Sequence, residues 1–116
     1  MHQYLDDLRQ YETRLMSQKH LNFIRSLPCL ICGNNIETEA CHVRYADSRI
    51  AKSESGLGRK PSDCFTVPLC SKHHREQHKG NEVRFWLPYE IDPVLISLAL
   101  FACSGDFEQG SKIVAQ

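Results

Sequence analysis

Two pairs of metal-binding residue types constrain this chain more than anything else in it. Cys29 and Cys32 are spaced C-x-x-C and followed by Gly33, and Cys70 and His73 are spaced i to i+3. A C-x-x-C-G turn lets two thiolates reach one tetrahedral ion, while the glycine permits the tight backbone path beneath. A cysteine and a histidine three apart at the entry to a helix supply a matching second pair, so a zinc site of three cysteines and one histidine is the economical reading. The 37 residues between Cys32 and Cys70 are too many for a simple finger. The ion would instead clamp two distant elements around an inserted strand and loop. The alternative is that the thiols are small buried hydrophobes, as free cysteines often are.

Metal is favoured over disulfides because the start, "MHQYLDDLRQYETR", has acids and arginines where a signal peptide needs an apolar stretch, and no run of 18 apolar residues follows. The chain therefore reads as soluble, cytoplasmic and not bound to a membrane, with its six cysteines reduced. Its 116 residues, 41% hydrophobic, make one domain with a modest core. Small domains of this kind lean on metals.

Periodicity divides the domain. Residues 1–27 hold two helices: one with Tyr4, Leu8, Tyr11 and Leu15 on a stripe, and one from Ser17 with Leu21, Ile24 and Leu27, ended by Pro28. Residues 28–80 form the zinc-clamped core. Within it "IETEACHVRYA" predicts a short strand or hairpin carrying His42, the Ser- and Gly-rich stretch 47–63 a loop, "CFTVPLC" a strand and "SKHHREQHKG" a helix. Residues 81–105 hold two further helices, capped by Asn81 and by Asp92 before Pro93, with Trp86, Leu95, Leu98 and Phe101 in the core. Residues 106–116 are a tail expected to fray. Cys64 and Cys103 lack partners at ligand spacing and read as buried thiols.

Adjacent histidines on a helix point about 100° apart and do not easily serve one centre. With His73 given to the zinc, His74 and His78, spaced i to i+4, form a second face that can hold a second divalent ion, with positions open for water and phosphate. The bland reading is two solvated histidines beside Arg75 and Lys79. Net charge is zero, yet residues 42–79 carry eight basic against four acidic residues while residues 80–116 carry two against five. Positive charge clusters with the histidines, as a polyanionic partner favours.

The order of these residues resembles the HNH endonucleases of the ββα-metal type: a cysteine pair, a histidine on a strand, a polar residue after a loop, then a second ligand pair followed at once by a histidine on a helix. The stretches "HLNFIRSLPCLICG" and "GLGRKPSDCFTVPLCSKHHREQH" look most like the HNH-like proteins carried by phages and prophages. The resemblance covers roughly residues 20–105. It implies an α+β fold, a zinc-clamped, treble-clef-like ββα-metal core between N- and C-terminal helices. It also implies a metal-dependent nuclease hydrolysing phosphodiester bonds in duplex or branched DNA.

In the roles so implied, His42 is the general base, a function suited to a histidine with its pKa of about 6.5. Asp63 orients it or touches the metal. Cys29, Cys32, Cys70 and His73 hold structural zinc, and His74 and His78 hold catalytic Mg²⁺, Mn²⁺ or Zn²⁺. Arg59 and Lys60 in the loop, with Arg44 and Arg75, contact phosphates. The expected protein partners are a second copy of the chain, as a homodimer, or phage recombination or replication proteins. The chain departs from the family at Cys41, where an aspartate or histidine ligand is usual. A thiolate there suits Zn²⁺ but not Mg²⁺, and it either joins the second metal, leaves that site to His74 and His78, or displaces His73 from the zinc. This departure, together with the missing asparagine or histidine at the middle position, where Asp63 is taken instead, supports the rival reading, a zinc-stabilised DNA-binding module that does not cut. A third reading is a protein-interaction domain using the acidic tail and Trp86.

Overall fold

The computed structural model of the chain describes residues 15–50, 52 and 61–115. Helix α1 (Gln18–Arg25) is followed by strands β1 (Thr38–His42) and β2 (Thr66–Cys70). Four helices follow: α2 (Ser71–Gln77), α3 (Glu82–Trp86), α4 (Pro93–Ala102) and α5 (Phe107–Val114). The result is a small α+β fold whose sheet, among the described residues, is the antiparallel pair β1–β2. The first expected helix, with Tyr4, Leu8 and Tyr11, lies outside the described residues, while Leu15, expected on its apolar stripe, is outside any helix and 43% exposed.

Register explains how the sheet assembles the site. Thr38 faces Cys70 and His42 faces Thr66, so β2 ends, and α2 begins, beside the start of β1. The cysteine turn is closed by Gly33 N–H donating to the Cys29 carbonyl at 2.9 Å and Cys29 N–H donating to the Asn34 carbonyl at 2.8 Å. Gly33 sits at φ 74°, a backbone conformation that glycine adopts without Cβ strain. The turn then docks on the sheet through Leu30 N–H, which donates to the Pro68 carbonyl at 2.8 Å. Pro68 thus faces outward from the β1 pairing, where its missing N–H costs no ladder bond.

Both faces of the sheet are covered, and all five residues of β2 are buried. On one side Cys41, Val67, Leu69 and Trp86 pack with Cys29 and Cys70. On the other, Ala40 meets the cluster of Phe23, Ile24, Leu27, Leu100 and Val114 from α1, α4 and α5. Caps fix the helix starts, since Ser17, Asn81 and Asp92 each accept a backbone N–H three residues on.

Two expectations at the C-terminal end are corrected. Leu95 is 47% and Phe101 37% exposed, and Leu98 is half-buried; the buried positions of α4 are Pro93, Val94, Ser97 and Leu100. The sequence PVLISLALFA is apolar on nearly every side, so its pattern could not choose a face. The tail expected to fray contains α5, capped by Asp106 and buried through Gly110 and Val114. A Cβ on Gly110 would stand 2.8 Å from Phe23 Cζ, so the glycine is what lets α5 approach α1. The loop expected over 47–63 begins with a 3-10 turn at Ser48–Ile50. Arg49 joins Asp47 to Asp92, tying this loop to the start of α4. Among the described residues no single helix is long and apolar enough to cross a membrane.

Candidate functional site

The ligand atoms of Cys29, Cys32, Cys70 and His73 all lie within 4.8 Å of one another. The separations include 3.7 Å from Cys29 Sγ to His73 Nδ1, 3.9 Å between the sulfurs of Cys32 and Cys70, and 3.1 Å from Cys70 Sγ to His73 Nδ1. Ligands about 2.0–2.3 Å from a tetrahedral zinc stand roughly 3.5–3.8 Å apart, so these donors have the chemistry and spacing to hold such an ion. The turn supplies two ligands, the last residue of β2 the third, and the first turn of α2 the fourth. The His73 ring is held edge-on to Tyr89, with centroids 6.4 Å apart.

His74, the next residue, points elsewhere. Its Nδ1–H donates to Glu39 Oε1 on β1 at 2.8 Å, and its Nε2 lies 3.1 Å from His78 Nε2. Two imidazole nitrogens at that distance can share one proton or two corners of one cation's shell, for which about 3.3 Å is the tetrahedral spacing. Burial, then the neighbouring His74 and Arg44, hold the His78 pKa below its usual value.

His42 closes β1, and its Nε2 lies 2.9 Å from Asp63 Oδ1. Asp63 is buried at 4% exposure. Its second oxygen accepts the Ser17 N–H at 2.7 Å, and its own N–H donates to the Leu15 carbonyl at 2.7 Å. The backbone entering α1 therefore fixes the carboxylate that fixes the histidine. The structure thus brings Asp63 against His42.

Cys41 is not brought to either centre. Strand alternation puts it on the face of β1 that meets the core; it is fully buried, and burial pushes its thiol far above the ordinary range. It belongs to no cluster of ligand atoms among the described residues, and His73 keeps its place with Cys29, Cys32 and Cys70. Cys64 and Cys103 are half-buried free thiols, each raised mainly by burial.

Of the basic residues, Arg75 is exposed and Arg44 half-buried. Arg59 and Lys60 lie outside the described residues. Arg44 and His78 line a cleft of about 330 Å³ with Tyr45, Gln77 and Glu82. Glu82 accepts the Arg44 N–H at 3.0 Å and Gln77 Nε2–H at 2.7 Å; burial raises its pKa, partly opposed by those of its neighbours that are donors or cations. Sequence reasoning missed Glu39 and Glu82. The first could have been suspected from its place two residues before Cys41 on the same strand face; the second gave no signal.

Residues 8–95 match a family described as "Protein of unknown function (DUF968)". A segment of 65 residues is 32% identical to the Uncharacterized protein YdfU of Escherichia coli (strain K12). That segment is 56% of this chain and 17% of YdfU, so the likeness spans about a sixth of that protein's length. No solved structure matches.

Proposed function

Because this chain belongs to the DUF968 family, whose description carries no activity, we propose its function from the site: a metal-dependent endonuclease of the HNH type that hydrolyses phosphodiester bonds in DNA. One observation carries the reading. The adjacent imidazoles of His73 and His74 turn to different partners, one to three cysteines and the other to His78 and Glu39. Two imidazoles at this spacing, one of them backed by a carboxylate, are what a second cation site would need. The strand–strand–helix order of β1, β2 and α2, with His42 ending the first strand, is further support.

In this reading Cys29, Cys32, Cys70 and His73 would hold a zinc that secures the fold, and His74 and His78 would hold Mg²⁺, Mn²⁺ or Zn²⁺. A divalent ion held by that pair would supply Lewis-acid stabilisation of the charge on a phosphate ester. The protein's own part is proton handling and positioning. With its Nε2 held by Asp63, His42 is the base that takes a proton from the attacking water. Arg44 and Arg75 attract the flanking phosphates.

The test is cleavage of supercoiled plasmid and branched DNA with each of the three ions, comparing wild type with His42→Ala and His74→Ala. Loss of about 10²-fold or more in both variants is expected. Undiminished cleavage in either overturns the assigned roles. The burial of Cys41 favours a second reading, a zinc-stabilised module that binds DNA without cutting, because it removes a strand ligand. Retention of DNA with no cleavage by any ion would select it.

A further inference from the structure

We infer that Glu39 is the positioning carboxylate of the His74–His78 pair, selecting the tautomer that presents two nitrogen lone pairs to one divalent cation. The inference rests on the proposed reading of that pair as a cation site and adds the residue that organises it.

A neutral imidazole has one N–H and one lone pair, and which nitrogen carries the proton is set by its partner. Glu39 Oε1 lies 2.8 Å from His74 Nδ1, so this nitrogen donates and the lone pair is left on Nε2. That Nε2 faces His78 Nε2 at 3.1 Å. Without the carboxylate, His74 is free to carry its proton on Nε2, where it would donate to His78 and close the gap to a cation. The ring planes are inclined by 37° with centroids 4.8 Å apart, an arrangement in which the two nitrogens converge while the rings do not stack flat.

The placement of Glu39 follows from β1. Glu39 and Cys41 share a strand face; Cys41 is swallowed by the core, while the Glu39 side chain, 49% exposed, extends to α2. The His74 side chain is 21% exposed, so the contact is shielded on the histidine's side. A plain surface ion pair would be indifferent to the cation. An orienting carboxylate behind a ligand histidine changes affinity for the ion by about 10- to 100-fold when removed.

The experiment loads the full chain with one equivalent of zinc and titrates Mn²⁺, reading free Mn²⁺ by its electron paramagnetic resonance signal, with a parallel Zn²⁺ calorimetric titration. Glu39→Ala is expected to weaken the second ion about 10- to 100-fold while the first zinc stays bound. Glu39→Gln, whose amide oxygen still accepts the Nδ1–H, should recover part of that loss, and His74→Ala should abolish second-ion binding. Equal affinity in Glu39→Ala and wild type overturns the inference, and so does loss of the first zinc from Glu39→Ala. Failure here is separable from failure of the nuclease reading. Cleavage of plasmid with unchanged Mn²⁺ affinity in Glu39→Ala removes Glu39 alone, whereas Glu39-dependent Mn²⁺ binding without any cleavage removes the nuclease alone.

Discussion

Asp63 shows how much one side chain can decide. One of its oxygens accepts from the Ser17 backbone and the other pairs with His42 Nε2. In Asp63→Asn the amide oxygen stays with the Ser17 N–H, so the NH₂ group falls against His42. The imidazole must then accept at Nε2 and carry its proton on Nδ1, the opposite tautomer to the one the carboxylate holds. Cleavage should fall by about 10²- to 10⁴-fold, with folded structure retained. Rates from plasmid gels, set beside thermal melts, check this; full activity in a folded variant would mean that His42 is not the base. His20 makes a different residue-scale prediction. It is 1% exposed, its Nδ1 meets Ser104 Oγ at 2.7 Å, and its Nε2 is buried without a partner. Burial lowers its pKa below 6.5, with Asp63 opposing in part. The unfolded chain therefore binds this proton more readily than the folded one. Stability is full above about pH 6.5 and declines as pH falls toward the folded-state pKa, by at most about 1.4 kcal/mol per pH unit. Urea unfolding at pH 7.5 and 5.5 should show this loss in wild type and a smaller one in His20→Gln.

Elements with strong local punctuation were legible in the sequence. Asn81 and Asp92–Pro93 mark helix starts by chemistry that acts within three residues and cap as expected, and Ser17, the expected start of a helix, proves to be its cap. The two ligand pairs were legible for the same reason, each being a local motif. What escaped depends on contacts distant in sequence. Glu39 meets His74 across 35 positions, and α4 chooses its buried face only through α1 and the sheet. Helix α5 was lost because Gly110, a weak helix former, is there for packing. Gly110→Ala tests that account. Its Cβ would stand 2.8 Å from Phe23 Cζ and 3.1 Å and 3.3 Å from the methyls of buried Leu27. Overpacking costs about 1–3 kcal/mol, against up to about 1 kcal/mol gained in helix propensity. A net loss of stability is expected, read as a lower urea midpoint with an unchanged slope. A higher midpoint would show that α5 does not pack tightly on α1.

At the scale of the molecule, the four-ligand cluster is the tie between the two halves of the core. Its turn, residues 29–32, docks on β2 through one backbone bond, and its other ligands start α2. Cys29 and Cys70 are also members of the cluster formed by Cys41, Val67, Leu69 and Trp86, so an ion held there would share its residues with the core. Apparent zinc binding energies in such sites run to about 10–16 kcal/mol, comparable with or above the 5–15 kcal/mol that stabilises a typical domain. Removing the ion should therefore unfold this chain rather than loosen one corner. A strong chelator at neutral pH is expected to release zinc and abolish the helical circular dichroism signal in a single coincident transition, and Cys29→Ser should be unfolded without any chelator. His74→Ala, which spares all four ligands, should keep its zinc and a melting temperature within a few degrees of wild type. A zinc-free chain that still melts cooperatively near the same temperature would show that the apolar clusters suffice alone, and that the cysteine pairs serve some purpose other than holding the fold.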